Sequence, residues 1–331
     1  MKLDLDKITN SNIKILVQAA SDLGMTTSLI SLDPVKIEYK YKNKSFILGH
    51  DLRKLTKNKQ AKAISRDKLK TLKALKKANL PIPKFIKIKS AAQYLNLAKT
   101  LTFPQVIKPM TSEKGKYVFL NIKSLDQGQS AIKKILKFYP EGCLIEDYVL
   151  GQDYRFLVLK NKVIGMVQRL APTITADGKK TIKALIDQEN QKRLKTNLKL
   201  KKRMLNRMRK WDRIEWYLNQ QNLSLTSIPA KNKKIILYPL PNFSTGGLVK
   251  AIDLNQVNPK LKQIAVKAVQ TIGLTIGGVD MLIKDIKNPP DNNNAVIIEL
   301  NSDPGLRLHD WPNQGQPQQT AQQVLKYIFN I

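Results

Sequence analysis

Two apolar, strand-like runs in this chain end in oxygen donors: Gly278-Val279-Asp280 and, after a polar spacer, Ile297-Ile298-Glu299-Leu300-Asn301-Ser302-Asp303-Pro304-Gly305-Leu306. Side chains two apart on a strand share a face, so Glu299 and Asn301 point the same way and Asp280 meets them from the neighbouring strand. Two carboxylates and an amide suit Mg²⁺ (or Mn²⁺), which takes one or two protein carboxylates and fills its shell with waters and substrate phosphates. Nucleotide chemistry is therefore expected. The alternative is a solvated hairpin with incidental acids. Against it, Glu299 stands among Ala295, Val296, Ile297, Ile298 and Leu300, where an unpaired carboxylate is costly if buried.

Donors of this kind need a sheet to carry them, and the chain is long enough to build one. It has 331 residues with 42% hydrophobic content, sufficient for two or three packed units. Its single cysteine, Cys143, precedes the apolar pair Leu144-Ile145, which reads as core packing in a reducing compartment without a disulfide framework. No uncharged apolar stretch reaches membrane-spanning length, and the N-terminus carries Asp4 and Asp6 where a signal peptide is basic and apolar, so a cytoplasmic protein is expected. The net charge of +33, from 58 Lys+Arg against 25 Asp+Glu, would steer polyanions toward the protein and leaves nucleic acid open as a partner. The excess is mostly lysine spread along the whole chain, as a lysine-biased genome would also produce.

Asn10 and Ser11 are candidate caps for a helix closed by Gly24, and short strands follow over 27–32, 36–41 and 45–48. Ser65-Arg66-Asp67-Lys68 opens a helix with Leu69, Leu72 and Leu75 at helical spacing, stopped by Pro81 and Pro83. Strands over 84–88, 105–108 and 117–121 and helices over 91–100 and 130–138 make a second α/β lobe. From Leu144 the pattern turns to strands: 144–148, 154–160, 163–168, 234–238, 278–283 and 295–301, implying a larger, mostly antiparallel sheet. Helices are expected over 181–209, 212–221, 259–271 and 319–329. In the basic stretch from Lys192 to Lys210, leucines and methionines at helical spacing read as the buried side and the cations as the solvated one.

Six segments in this order resemble the ATP-grasp superfamily, and within it the ATP-grasp portion of cyanophycin synthetases and of bifunctional glutathione-forming enzymes. They are Ala63-Ile64-Ser65-Arg66-Asp67-Lys68; Val106-Ile107-Lys108-Pro109; Ile145-Glu146-Asp147-Tyr148-Val149-Leu150-Gly151-Gln152-Asp153-Tyr154-Arg155; Asp177-Gly178-Lys179-Lys180-Thr181-Ile182; Asn242-Phe243-Ser244-Thr245-Gly246-Gly247; and Glu299-Leu300-Asn301 through Pro304-Gly305-Leu306-Arg307-Leu308-His309. The resemblance covers about residues 46–329. It implies an α/β (α+β) ATP-grasp fold, two α/β lobes sandwiching the nucleotide with a small N-terminal α/β cap. The expected division is a cap over 1–62, a smaller lobe over 63–142 and a larger lobe over 143–331 with a basic helical insert at about 187–222.

The resemblance also implies an ADP-forming carbon–nitrogen ligase. ATP phosphorylates a substrate carboxylate, and an amine then attacks the acyl phosphate to give an amide. Lys68 and Lys108 resemble the two lysines that hold the nucleotide phosphates. Lys108 also ends an apolar strand before Pro109, where a buried cation lacks purpose without an anion. Glu146, Asp147, Tyr148 and Val149 resemble the linker whose backbone reads adenine, and Asp153 the acid that accepts from ribose hydroxyls, although Gly151-Gln152-Asp153 also suits a tight hairpin turn. Arg155 and Arg169 are implied to stabilise charge on the transferring phosphoryl group. Asn242, Ser244 and Thr245, with the paired glycines, offer hydroxyls and backbone N–H groups as a substrate and phosphate loop, a plain Gly-Gly turn being the competing reading. Arg307 suits the carboxylate of an incoming amino acid or peptide, and His309 reads as a packed or surface histidine.

Two departures stand out. Thr111-Ser112-Glu113-Lys114-Gly115-Lys116-Tyr117 keeps one glycine where the family's phosphate-covering loop is glycine-rich, and Tyr238 stands where relatives commonly carry an arginine. The expected substrates are amino acids, peptides or a polymer end, with an acidic acceptor among them, in a homo-oligomer. Two alternatives remain: a glutathione-synthetase-like ligase, and a basic polyanion-binding protein on a degenerate ATP-grasp fold. Salt-sensitive binding that ignores ATP would mark the latter.

Overall fold

In the computed structural model, which describes residues 8–97, 100, 102–111, 116–202, 204–290 and 294–331, the chain divides into two compact units. The first comprises Met1–Met166, Ile252–Asp310 and Gln318–Ile331, the second Val167–Ala251 and Trp311–Pro317. The acidic N-terminus, residues 112–115 of the glycine-poor loop, residues 98 and 99 of an expected helix, and Arg203 of the basic insert lie outside the described residues.

In the first unit, the Asn10 side chain accepts from the N–H groups of Asn12 and Ile13, which starts α1 (Ser11–Asp22). Gly24, at φ 69°, follows its C-cap in the left-handed conformation that glycine adopts without strain. β1 (Thr26–Leu32), β2 (Val35–Tyr41) and β3 (Lys44–Leu48) form an antiparallel meander. The expected helix start at Ser65 is corrected: Ser65 belongs to a separate α2 (Lys59–Arg66). Asp67 ends α2 and caps α3 (Lys68–Lys77), accepting from Lys70 N–H at 3.0 Å.

Next come β4 (Phe85–Ile88), α4 (Ala91–Leu97), β5 (Gln105–Pro109), β6 (Phe119–Ile122), α5 (Leu125–Leu136) and β7 (Cys143–Asp147). The four strands form one sheet in the order β4-β7-β5-β6. β7 therefore belongs with the smaller sheet, between β4 and β5, and not with the larger sheet to which its sequence assigned it. Cys143 packs there against Ile88, Ile107, Ile132 and Ile145, and burial pushes its thiol up to about 12.

β8 (Gln152–Leu159) and the first half of β9 (Lys162–Leu170) begin the larger sheet. β9 continues into the second unit, where β10 (Thr173–Thr175), α6 (Ile182–Lys199), α7 (Trp211–Asn219), β11 (Lys234–Ile236) and β12 (Leu248–Ala251) follow. β12 pairs with residues 167–170 of β9. β11 pairs with β10 in a two-stranded ribbon, so the expected strand at 234–238 also falls outside the larger sheet. The helix expected over 181–209 stops at Lys199.

The chain returns to the first unit with α8 (Pro259–Ile272), β13 (Ile276–Ile283), β14 (Ala295–Asn301), α9 (Arg307–Asp310) and α10 (Thr320–Phe329). β8, β13 and β14 are consecutive antiparallel neighbours. Phe156, Val158, Val279, Met281 and Ile297 share one core with Leu261, Ala265 and Val269 of α8, which leaves the alternate residues of these strands on the opposite face. Among the described residues, no helix is long and apolar enough to cross a membrane.

Candidate active site

Strand register places the first cluster. Arg155 on β8 is the direct partner of Asp280 on β13, and Asp280 is the direct partner of Glu299 on β14. A bulge on β14 pairs Glu299 with Asp280 but Ile297 with Met281, so Ile298 is the extra residue. This sends Ile297 into the α8 core and Glu299, two residues on, to the opposite face. Glu299 is consequently only half-buried, and the enclosed carboxylate expected from its apolar neighbours is corrected. Asn301 shares its face, with Nδ2 at 3.5 Å from Asp280 Oδ2.

Asp280 is 0% exposed and is held by the fork of Arg155, Nε to Oδ1 at 2.5 Å and Nη2 to Oδ2 at 2.7 Å. A cation bound here would share Asp280 with that guanidinium. No group of three or more His, Cys, Asp or Glu side chains suited to a metal is present among the described residues. Two carboxylates and one amide are a hard-oxygen set that leaves the rest of a magnesium shell to waters and phosphates, so the donor chemistry fits this ion.

The smaller sheet carries the second cluster. The anion that a buried Lys108 requires is supplied by the protein: Lys108 Nζ lies 2.7 Å from Glu146 Oε2, both residues being buried. Glu146 Oε1 and Asp147 Oδ1 are buried acceptors with no hydrogen-bond partner among the described residues. Acceptors left open in this way are available to a donor from a water or a ligand. The half-buried Tyr148 and Val149 follow directly and lead from β7 to β8. These strands lie in different sheets, so the tight-hairpin reading of Gly151-Gln152-Asp153 is excluded. Asp153 sits within β8, opposite Leu282, and Lys68 is the first residue of α3.

Arg307 opens α9 and is buried, its backbone N–H donating to Asn12 Oδ1. His309, two residues on, is fully buried. Gln318 commits its Nε2 to the Met166 and Ile252 carbonyls, so its Oε1 faces His309 Nδ1, 3.0 Å away, and the imidazole donates there. Nε2 is left as a buried acceptor without a hydrogen-bond partner among the described residues, and burial, with a smaller contribution from the Arg155 charge, pushes the imidazole down to about 4. A Cβ at Gly165 would stand 2.7 Å from both Gln318 Oε1 and His309 Nδ1, so this pairing needs the glycine.

Arg169, Asn242, Ser244 and Thr245 belong to the second unit. Arg169 pairs with Val249 along β9 and β12. The 242–247 loop contains one 3₁₀ turn followed by Gly246 at φ 97°. The N–H groups of Thr245 and Gly247 both donate to Asn242 O, and that of Gly246 to Phe243 O. These three donors are consumed inside the loop, which corrects the expectation that they are offered to a ligand. Thr245 is buried and its hydroxyl donates to Asn242 O, whereas the Ser244 side chain is exposed. Arg213 stacks over Tyr238, its guanidinium 5.6 Å from the ring centre. A cleft of about 700 Å³ beside Lys76, Leu80, Pro83 and Phe85 contains none of the expected site residues.

The pairing of Lys108 with Glu146 and of Arg155 with Asp280 was not legible from spacing, because each joins residues distant along the chain. The signal available was a charged residue inside an apolar strand, which each of the four is.

Comparison with known proteins adds three findings. A model of the RimK-like ATP-grasp domain matches residues 65–200 and 241–328. The glutathione biosynthesis bifunctional protein GshAB of Clostridium perfringens is 29% identical over 351 residues, covering 100% of this chain and 44% of the relative, and the cyanophycin synthetase of a Synechocystis strain is 29% identical over 278 residues, covering 80% and 30%. Among solved structures, a bifunctional glutathione synthetase from Pasteurella multocida superposes with a TM-score of 0.68 at 22% identity, over 99% of this chain and 45% of that one. The chain thus spans less than half the length of these relatives.

Proposed function

The chain belongs to the RimK-like ATP-grasp family, and on that footing we propose that it is an ATP- and Mg²⁺-dependent carboxylate–amine ligase releasing ADP. The observation that carries the reading is the row Arg155, Asp280, Glu299, with Asn301 on the same face: a guanidinium and a hard-oxygen set side by side. Asp280, Glu299 and Asn301 would hold Mg²⁺ or Mn²⁺. Such an ion neutralises charge on the triphosphate and orients it.

The chain's own residues serve the remaining steps. Lys68 and Lys108 bind nucleotide phosphates. The orphaned Glu146 Oε1 and Asp147 Oδ1 suit donors such as the adenine amino group, beside Tyr148 and Val149, and Asp153 takes the ribose hydroxyls. Arg155 and Arg169 stabilise the phosphoryl group in transfer. A substrate carboxylate oxygen attacks the γ-phosphorus and the bond to the β-phosphate oxygen breaks, leaving ADP. The amine then attacks the carbonyl carbon, inorganic phosphate departs and the nitrogen loses a proton. Arg307 would hold the carboxylate of an amino acid or peptide, and Asn242, Ser244 and Thr245 line the substrate loop.

The relatives support amino acids or peptides as substrates. The match to the glutathione biosynthesis protein across 100% of this chain favours one second reading, the joining of glycine to a γ-glutamyl dipeptide. ADP release measured over a panel of acids and amines, followed by mass spectrometry of the amide, tests both. ATP turnover confined to γ-glutamylcysteine with glycine selects the second reading, and no acid- or amine-dependent ADP release from any pair would overturn the ligase proposal.

A further inference from the structure

Helical spacing in the basic insert marked leucines as buried and cations as solvated; in the second half of α6 the structure overturns this for Leu194, Leu198 and Arg193, while Lys192, Lys195 and Lys199 are exposed as expected. Leu194 and Leu198 are exposed, the latter by 68%, whereas Asn190 and Arg193 are buried, Arg193 being 2% exposed. Asn190, Arg193 and Asn197 lie three, four and seven residues apart, which puts them on one helical face. What covers that face is main chain. Asn190 donates to Met208 O and accepts from Met208 N–H, and Asn197 accepts from the N–H groups of Met204 and Leu205 and donates to Leu205 O.

Arg193 reaches further. Its Nη1 donates to Asn206 O and to Gly246 O, both at 2.7 Å, while Nε donates to Glu189 at 2.8 Å. Asn206 in turn donates from Nδ2 to Phe243 O at 3.0 Å. The carbonyls on either side of Ser244-Thr245 are thus both tied to the insert, Phe243 through Asn206 and Gly246 through Arg193. Gly246 is also closed in from the insert side, since a Cβ there would stand 2.4 Å from Met208 Cγ.

We propose that Arg193, with Asn206, positions the 242–247 loop, so that the insert is the scaffold that presents Ser244 to substrate. This rests on the reading of that loop as a substrate loop. A buried guanidinium whose only ionic partner among the described residues is the partly exposed Glu189 is expensive to keep. The guanidinium serves three acceptors in fixed planar directions, Nη1 the two carbonyls on separate segments and Nε the Glu189 carboxylate, an arrangement that an ammonium point charge reproduces poorly.

The test compares Arg193→Lys, Asn206→Ala and Ser244→Ala with the parent protein. Hydrogen exchange is measured first, without substrate. Faster exchange of 242–247 by about tenfold in Arg193→Lys and Asn206→Ala, with β8 and β13 unchanged, is the expected result. Unaltered exchange of the loop in both variants overturns the proposal. Steady-state ADP release with the acid–amine pair found in the panel is measured next. Both variants should raise the KM for acid or amine about tenfold and leave the KM for ATP within about twofold. A uniform fall in all parameters together with a fall in Tm would show a merely structural role and overturn the positioning claim. Ser244→Ala separates the two levels: if it leaves every KM unchanged, the substrate-loop reading fails, and if it raises the KM while Arg193→Lys and Asn206→Ala do not, only the positioning role fails.

Discussion

Arg155 and Asp280 face each other across β8 and β13, joined by two charge-assisted hydrogen bonds of 2.5 and 2.7 Å, and the aspartate has no exposed surface. Breaking a buried pair from one side leaves an uncompensated charge, so Arg155→Ala is expected to destabilise the protein by about 3–5 kcal/mol. Glu299, half-buried on the same face, makes no such pair among the described residues, and Glu299→Ala should change stability by only about 0.5 kcal/mol while abolishing turnover. Urea midpoints with parallel ADP-release assays separate the two effects. Normal turnover in Glu299→Ala would remove the metal assignment.

His309 predicts a pH dependence of stability. Its folded value, about 4, lies below the ordinary 6.5, so the unfolded chain binds a proton at mildly acidic pH that the folded chain refuses. The associated stability is fully present above pH 6.5 and is lost as pH falls toward 4, amounting to about 3 kcal/mol. Asp303 and Asp310 act in the opposite sense, because burial raises both above the usual carboxylate range. Comparison with His309→Gln isolates the histidine: the parent should lose about 3 kcal/mol more than the variant between pH 7 and pH 4. Parallel pH profiles would refute it.

Cys143 is buried and its thiol pushed up to about 12, so it carries almost no thiolate at neutral pH. Alkylation by iodoacetamide, followed by mass spectrometry, should be negligible in the native protein and complete in urea. Rapid native labelling would show that the smaller sheet opens around β7.

Elements with strong local signals were legible in the sequence. Asn10 and Gly24 bound α1, because capping chemistry is local, and the helix expected over 259–271 corresponds to α8. α2 was not legible because its core-facing side amounts to one pair, Ala61 and Ile64, too short a stripe to mark a helix. The assignment of β7 to the smaller sheet depends on partners far away in sequence, and so does the bulge at Ile298, which needs the register of β13 to be seen. That Glu299 and Asn301 share a face was legible because strand alternation alone puts them there, and the register of β13 sets Asp280 beside them. Arg193 was misread because a polar stripe packed on main-chain carbonyls has the same period as one facing water.

The acyl-phosphate route makes an isotopic prediction. When the acid substrate carries ¹⁸O in its carboxylate, one labelled oxygen leaves with the phosphoryl group at amide formation. Mass spectrometry should therefore find label in inorganic phosphate. Labelled AMP, or AMP and pyrophosphate as products, would point to an adenylate and exclude the proposed chemistry.

The last prediction concerns the outward charge of the insert. Lys199, Lys201 and Lys202 are exposed, and Lys202 stacks over Trp311 with its ammonium 5.1 Å from the ring centre. Exposed cations of this kind raise the local concentration of an acidic acceptor, an effect screened beyond about 10 Å at 0.1 M salt. Lysine excess pervades the chain, however, and gives these three positions no special claim. Neutralising Lys199, Lys201 and Lys202 to Gln should therefore leave the acceptor KM unchanged across salt concentrations, while Arg193, facing inward from the same insert, should prove sensitive. A parent KM that rises steeply with salt, and a variant KM that is high and flat, would instead establish an acidic acceptor guided by this patch.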